Sequence, residues 1–170
     1  MSSCWFVRVL IACGCVFSGS VFAAQSLDTI IIDAGYDKQT KIAIVPFAQG
    51  PELAHLQPIS DIVSFDLARS GQFAPADDEN MLSYPRSKAE VFFRDWRILG
   101  VEYLVIGRTT TDMLGNLNVA YHLFDVFNER EMLSDVVSTS RDKWRDAAHR
   151  VSDQVFEAVT GIPGAFSTRI

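Results

Sequence analysis

The side chains best suited to acid–base or metal chemistry are few in this chain, and their spacing links none of them to another. His55, His122 and His149 fall in a predicted loop, strand and helix, whereas a zinc site needs three or four convergent ligands. We therefore interpret the histidines as structural or surface residues. The acidic run 77–79 lacks the alternating ligand spacing of a calcium loop and is interpreted as a solvated loop. Whether the fold brings two carboxylates together is left open by the sequence.

Local motifs of known chemistries do not occur either. The chain contains no Gly-x-Ser-x-Gly nucleophile elbow, no P-loop and no Gly-x-Gly-x-x-Gly pattern. Cys4, Cys13 and Cys15 all lie in a segment that export would remove, so the mature chain would carry no thiol nucleophile and no cysteine-ligated metal. We expect no catalytic residue, no cofactor and no metal. The alternative is an uncharacterised exported enzyme on an α+β scaffold.

Composition narrows the classes of protein further. The chain has 170 residues, of which 48% are hydrophobic and 21% charged, as is typical of a globular domain with its own core. Its net charge of −6 disfavours nucleic-acid binding, which depends on basic patches. We expect one domain with a short appendage and no nucleic-acid partner.

Residues 1–23 have the pattern of a cleaved secretory signal peptide. Arg8 precedes the apolar run Val9–Phe17, and Val21–Ala23 offers small or medium side chains for cleavage before Ala24. A membrane anchor is the first alternative, but the run Val9–Phe17 is well short of the about 20 apolar residues that a membrane span needs. A lipoprotein signal ending at Cys13 is the second, although too few residues separate that cysteine from the positive charge. We expect export, cleavage and no membrane span in the mature chain.

Strand patterns account for most of the remaining chain. The run at 41–47 is continuously apolar, which is typical of a strand buried on both faces, and Pro46 should end its pairing. Turn residues at 115–116 and 128–129 predict an antiparallel meander. The predicted strands are Asp28–Asp33, Lys41–Phe47, Phe73–Pro75, Tyr103–Gly107, Leu117–Phe127 and Met132–Ser140.

Two helices are predicted ahead of the meander. The first begins near Pro58 or Ser60 and ends at Gly71. The second follows a capping box at Ser87–Glu90 and ends at Gly100. Phe92 is expected to face the core and the adjacent Phe93 to be a weak interface candidate. The predicted core residues of the two helices are Ile59, Ile62, Val63 and Leu67 in the first and Val91, Phe92, Trp96 and Leu99 in the second.

A closing helix completes the predicted domain. Apolar residues recur at steps of three and four from Trp144 to Val159, and Gly161 ends the helix. The sum is an α+β fold in which a mixed sheet packs against two main helices. We assign residues 24–163 to this domain and residues 164–170, which have a strand-like pattern from Ala165 on, to the start of a linker.

The terminal strand supplies the most suggestive binding element. Residues 24–37 are apolar and rich in β-branched side chains, and Gly35 provides a joint before the next strand. A strand of this kind can dock on its own sheet or add to the sheet edge of another protein. Sequence pattern alone leaves both alternatives open.

Short runs spread along the chain together form a recognisable pattern. They include Ile30–Gly35, Ile42–Phe47, Ser70–Gly71, Leu99–Val101, Val105–Gly107, Ala147–His149, Ser152–Asp153, Thr160–Ile162 and Thr168–Ile170. In these runs the chain resembles the TolB family, periplasmic proteins of the Tol–Pal system. The resemblance covers essentially residues 27–170, whereas Tyr36 and Lys38–Lys41 depart from the family pattern.

This resemblance implies a fold and a role. The fold is that of the TolB amino-terminal domain, which is similar to an anticodon-binding domain. The role is that of a non-enzymatic adaptor between the inner-membrane Tol proteins and the outer-membrane lipoprotein Pal, supporting outer-membrane integrity and its invagination during cell division. The family's extreme amino-terminal segment contacts TolA. In this chain that segment comprises Leu27, Asp28, Thr29, Ile30, Ile31, Ile32, Asp33, Ala34, Gly35, Tyr36 and Asp37.

Family members continue into a carboxy-terminal β-propeller that carries the Pal surface. No propeller sequence follows Ile170 here, so we expect this chain to be a fragment, a truncated gene product or an isolated domain. Pal binding is expected only of the propeller. The resemblance places the chain in the periplasm of a Gram-negative bacterium, with TolA as the expected partner of its amino-terminal segment.

Overall fold

The computed structural model describes residues 38–168, which form one mixed sheet with helices on both faces. Its strands are β1 (Thr40–Ile44), β2 (Ala48–Gln49), β3 (Phe73–Pro75), β4 (Tyr103–Thr111), β5 (Leu117–Asp125) and β6 (Arg130–Thr139). Its α-helices are α1 (Ile59–Arg69), α2 (Phe93–Ile98) and α3 (Trp144–Thr160). Short 3₁₀ turns lie at Pro51–Leu53, Asp78–Asn80, Lys88–Glu90 and Arg141–Lys143. The predicted signal peptide and the predicted strand at 28–33 lie outside the described residues.

The sheet combines parallel and antiparallel pairing. Its strands follow the order β3-β1-β4-β5-β6, and β2 also pairs with β4. The pairs β1–β3, β1–β4 and β2–β4 are parallel, whereas β4–β5 and β5–β6 are antiparallel. This mixed sheet with packed helices confirms the predicted α+β fold class.

The first strand is buried on both faces, as its continuous apolar run predicts. Ile42 and Ile44 belong to the core cluster beneath α1 and α3, whereas Ala43 and Val45 belong to a second cluster built around Trp96 of α2. Alternate residues of a strand point to opposite faces of the sheet. The unbroken apolar run from Ile42 to Val45 therefore follows from burial on two sides.

Pro46 interrupts pairing where the sequence predicts. Strand β1 ends at Ile44, and a second short pairing with β4 follows at Ala48–Gln49. The ring of Phe47 between them lies directly over Gly107, where an added Cβ would come within 2.5 Å of the ring. Glycine at this position of β4 is therefore required for the ring to pack against the sheet.

The two main helices also match their patterns. Ile59, Ile62, Val63 and Leu67 are all buried on α1. Helix α3 ends as predicted at Gly161, which has a φ of 72° and donates its N–H to the Glu157 carbonyl at 2.8 Å. Glycine adopts this left-handed conformation without the steric cost that a Cβ imposes.

The second helix departs from the prediction. Ser87 Oγ donates to Glu90 Oε1 at 2.8 Å and the Arg86 N–H donates to Glu90 Oε2, so these side chains close a 3₁₀ turn instead of capping an α-helix. Helix α2 starts only at Phe93 because Phe92 is extended, with φ −103° and ψ 94°. The later start reverses the predicted burial of the two rings. Phe92 is 64% exposed, whereas Phe93 is half-buried with its ring centroid 5.8 Å from that of Phe124. The prediction for both rings was wrong.

The chain after α3 folds back instead of starting a strand. The backbone N–H groups of Phe166 and Ser167 donate to the Asp153 carboxylate at 2.6 and 3.2 Å. The Phe166 ring packs edge-on against Phe156, with centroids 5.7 Å apart. The strand-like expectation is therefore wrong for residues 165–168, because a carboxylate of α3 binds the N–H groups that a strand would use.

An aspartate organises the turn between β4 and β5. Asp112 Oδ1 accepts the N–H groups of Leu114 and Asn116 at 2.8 Å, and its Oδ2 accepts Asn116 Nδ2 at 3.0 Å. These hydrogen bonds, first of all the one from the Asn116 side chain, lower the pKa of Asp112. The charged carboxylate is therefore the form that holds the turn.

A lowered pKa predicts a pH-dependent contribution to stability. Because the folded-state pKa of Asp112 lies below the ordinary value of 3.8, its contribution is present above pH 3.8 and is lost as the pH falls through the folded pKa. We expect an Asp112→Ala variant to melt below the parent at pH 7 and the two melting temperatures to converge in acid. Thermal melts across a pH series measure this, and a constant gap would contradict it.

Candidate functional site

The residues predicted to contact a partner, Leu27–Asp37, lie outside the described part of the chain. Their attachment point is well defined. Gln39 Nε2 donates to the Gly71 carbonyl at 3.0 Å, and the Thr40 N–H donates to the Gln72 carbonyl at 2.9 Å. These bonds fix the start of β1 beside the end of α1. Removing residues up to Gly35 would leave both bonds in place.

A cleft of about 630 Å³ borders this attachment point. Of the described residues that line it, Lys38 is the one with a charged side chain, and Phe73 and Tyr103 contribute rings. Burial, and then the negative charge of Asp125, raises the pKa of Tyr103, so the side chain remains a neutral phenol at physiological pH. The cleft therefore offers shape and mixed polarity but no group suited to proton transfer near neutral pH.

A buried polar network joins α1 to α3. The carboxylate of Asp66 is 1% exposed, and its Oδ2 atom lies 2.7 Å from His149 Nδ1 and 2.8 Å from Ser152 Oγ, which donates to it. Ser152 Oγ also bonds to the Ala148 carbonyl at 3.1 Å. In the sequence, His149 lies 83 positions after Asp66 and Ser152 lies 86 positions after it. The sequence predicts a structural or surface role for His149 but carries no signal for its partner.

The same three residue types occur in hydrolase triads, but their geometry here differs. In a triad the histidine bonds to the serine and the acid orients the histidine. Here both Ser152 and His149 bond to one oxygen of Asp66, and Ser152 is fully buried. The serine is therefore not activated by the histidine, and the network is a structural link between two helices.

The fold does bring carboxylates together, which answers the question that the sequence left open. Asp61 of α1 lines a cleft of about 470 Å³ with Asp77 and Asp78. Burial, followed by the negative charges of Asp61 and Asp77, raises the pKa of Asp78. Among the described residues, no histidine, lysine or arginine lines this cleft. Ser60 and Ser64 contribute hydroxyl groups to the cleft, but its described lining lacks the cationic group that acyl or phosphoryl transfer would need.

A groove between α1 and α3 differs from this acidic cleft because two arginines line it. It has a volume of about 330 Å³. Arg69 contributes one cation and lies 5.9 Å from the centroid of the exposed Phe65 ring, and Arg145 contributes another and lies 5.0 Å from that of Trp144. The residues lining this groove are Gln57, Ile62, Phe65, Asp66, Arg69, Arg145 and His149.

The histidines of residues 38–168 have separate surroundings: His55 lies near Arg141, His122 near Glu131 and His149 near Asp66. Within the same residues, no group of three or more histidine, cysteine, aspartate and glutamate side chains could hold a metal ion. None of the helices there is both long enough and apolar enough to cross a membrane.

Named proteins with similar sequences match most of this chain. It is 40% identical over 164 residues to the Tol-Pal system protein TolB of Pseudomonas putida, covering 96% of this chain and 37% of the relative. It is 43% identical over 149 residues to the same protein of Pseudomonas aeruginosa, covering 87% of this chain and 34% of the relative. The chain thus spans a little over a third of the length of these relatives.

A solved structure and a family model agree with these matches. The crystal structure of TolB from Acinetobacter baumannii superposes with a TM-score of 0.65 and 33% identity, covering 76% of this chain and 30% of that one. The family model of the TolB amino-terminal domain matches residues 28–132, a range that includes most of the predicted partner-binding segment. On these grounds the chain belongs to the TolB amino-terminal domain family.

Proposed function

We propose that this chain is a module of a non-enzymatic adaptor in the Tol–Pal cell-envelope system. The observation that carries the proposal is the 40% identity to Tol-Pal system protein TolB along 96% of the chain. The adaptor supports outer-membrane integrity and its invagination during cell division. The signal-peptide pattern at residues 1–23 supports a location in the periplasm.

The partner of this module is TolA, bound through Leu27–Asp37. The family model begins matching at residue 28, so nearly all of this segment falls within the family's shared region. The segment is apolar and β-branched, which suits it to supply main-chain hydrogen bonds and alternate side-chain anchors to the sheet edge of a partner. Pal contacts belong to the propeller of longer family members and are not assigned to this chain.

Two features of the described residues favour binding over catalysis. The Asp66 network places no activated nucleophile at a surface, because Ser152 is buried and bonds to the carboxylate instead of the histidine. The aspartate cluster at the Asp61 cleft has no cationic partner among its described lining residues. The alternative, an exported enzyme on this scaffold, would need a convergent set of reactive groups that neither site provides.

Deleting Ala24–Gly35 is expected to abolish binding to the carboxy-terminal domain of TolA while leaving the domain folded. The buried core of the described residues begins at Ile42, and the bonds of Gln39 and Thr40 survive the deletion. Calorimetric titration should show binding at least about 100-fold weaker, equivalent to about 2.7 kcal/mol. Thermal melting of the same preparation tests whether the fold is intact.

An Ile31→Asp variant tests the same segment without shortening the chain. A charge within a β-branched anchor run should weaken binding to TolA strongly. The matched control is Ile98→Asp, which makes the same replacement at a 68% exposed isoleucine of α2 and should bind normally. Full binding by the deletion variant would refute the assignment. Loss of folding on deletion would show instead that the segment is structural.

A further inference from the structure

The groove between α1 and α3 combines an exposed aromatic ring with two arginines. Phe65, which is 63% exposed, and the buried Ile62 are both among the residues that line the groove. Arg69 and Arg145 line the same groove from the two helices. Aromatic residues and arginine are enriched in protein interfaces and among the residues that contribute most to binding energy.

The charges of this groove are largely uncompensated. Within residues 38–168, neither Arg69 nor Arg145 forms an ion pair with a carboxylate; their contacts are the rings of Phe65 and Trp144. Asp66 is the one carboxylate that lines the groove, and it is 1% exposed and bonded to His149 and Ser152. The groove therefore presents positive charge to solvent.

This positive surface contrasts with the rest of the chain, whose net charge is −6. A local cationic groove in an acidic protein attracts groups of opposite charge selectively, because the surrounding surface repels them. The planar fork of arginine fits a carboxylate through two parallel hydrogen bonds. Two arginines beside an exposed phenylalanine thus match a ligand that carries carboxylates next to an apolar side chain.

We propose that the groove lined by Phe65, Arg69 and Arg145 binds an acidic segment of a partner protein. Carboxylates of the segment bond to the two guanidinium groups, and an apolar side chain of the segment covers Phe65. His149 lies at the same groove and is held in place by Asp66. The described residues that line the groove belong to other parts of the sequence than Leu27–Asp37, so this proposal stands or falls independently of TolA binding.

Titration of the isotope-labelled full chain with a short peptide of alternating glutamate and leucine tests the proposal. We expect amide shifts in NMR spectra to concentrate at Phe65, Arg69 and Arg145. Binding should weaken at least about threefold when the salt concentration rises from 50 to 300 mM, since exposed charges are screened within about a Debye length. A peptide with lysine in place of glutamate should produce no such shifts.

Single substitutions then test whether binding depends on the side chains of this groove or only on the net charge of the protein. Arg69→Gln and Arg145→Gln should each weaken binding of the acidic peptide about tenfold, and Phe65→Ala about fivefold. The matched control is Arg94→Gln, which removes the same charge from an exposed arginine of α2 and should leave binding unchanged. All four side chains are exposed, so the variants should keep the melting temperature of the parent.

Three outcomes would overturn the proposal. The first is no localised shift with the acidic peptide at millimolar concentration. The second is an equal loss in the Arg94→Gln control, which would show that net charge alone governs binding. The third is saturation of the same residues by inorganic phosphate at the same concentration and with the same losses in the variants. That result would identify a simple anion site instead of a surface for a protein segment.

Discussion

Replacing Val155 with aspartate is expected to unfold the domain. Val155 is fully buried on α3, in the cluster that joins this helix to α1 and the sheet. An unpaired carboxylate there loses its hydration without gaining a partner. The expected loss is at least about 3 kcal/mol of unfolding free energy, a large part of the stability of a typical domain. Val105→Asp should have a similar effect, because Val105 is fully buried in β4 within the same cluster.

Urea denaturation with thermal melting measures the loss, and a matched variant controls for the residue type. Val136 lies on β6 and is 55% exposed, so Val136→Asp should cost no more than about 1 kcal/mol, from β propensity. Parent-like melting of the Val155 or Val105 variant would mean that these side chains are not buried in the sheet–helix core.

Replacing His149 with alanine is expected to cost about 2 kcal/mol of unfolding free energy, because a buried carboxyl group loses one of its two side-chain hydrogen-bond partners. The carboxylate of Asp66 is 1% exposed and would keep Ser152 as its remaining side-chain partner. Chemical denaturation measures the loss. A comparison is His122→Ala, because His122 bonds to Glu131, whose side chain is 30% exposed. That variant should cost no more than about 1 kcal/mol, since solvated pairs contribute little.

A double-mutant cycle isolates the contribution of the buried pair. In an Asp66→Leu background there is no buried carboxyl group to lose a hydrogen bond, so His149→Ala should cost less than about 1 kcal/mol. Equal costs of His149→Ala in both backgrounds would show that the histidine stabilises the helices through packing alone, without energetic coupling to Asp66.

Elements with a strong local pattern were predicted well from the sequence. The continuous apolar run of β1, the helical spacing of α1 and α3 and the glycine at Gly161 are each governed by neighbours within a few residues. Helix α3 runs from Trp144 to Thr160 in the structure, directly before the predicted stop at Gly161. Local periodicity is sufficient here because each of these elements is long or is buried on both faces.

The second helix shows where local pattern is insufficient. Ser87 and Glu90 have the spacing of a capping box, but they bond to each other and to the Arg86 N–H, and the helix starts at Phe93. An α-helix of six residues has few internal hydrogen bonds, so its start depends on what the chain packs against. The edge-on packing of Phe93 against Phe124, and not a cap, decided which ring is buried.

By itself, the sequence determined the fold class, the two main helices, the buried central strands and the family. Only the tertiary structure decided which polar side chains meet. Asp66 reaches His149 and Ser152 across 83 and 86 residues of chain, and Asp61 of α1 comes to lie with Asp77 and Asp78. The physical reason is that burial of a side chain follows from local periodicity, whereas its partner depends on how separate elements pack. The cationic groove between α1 and α3 likewise exists only once both helices lie on the same face of the sheet.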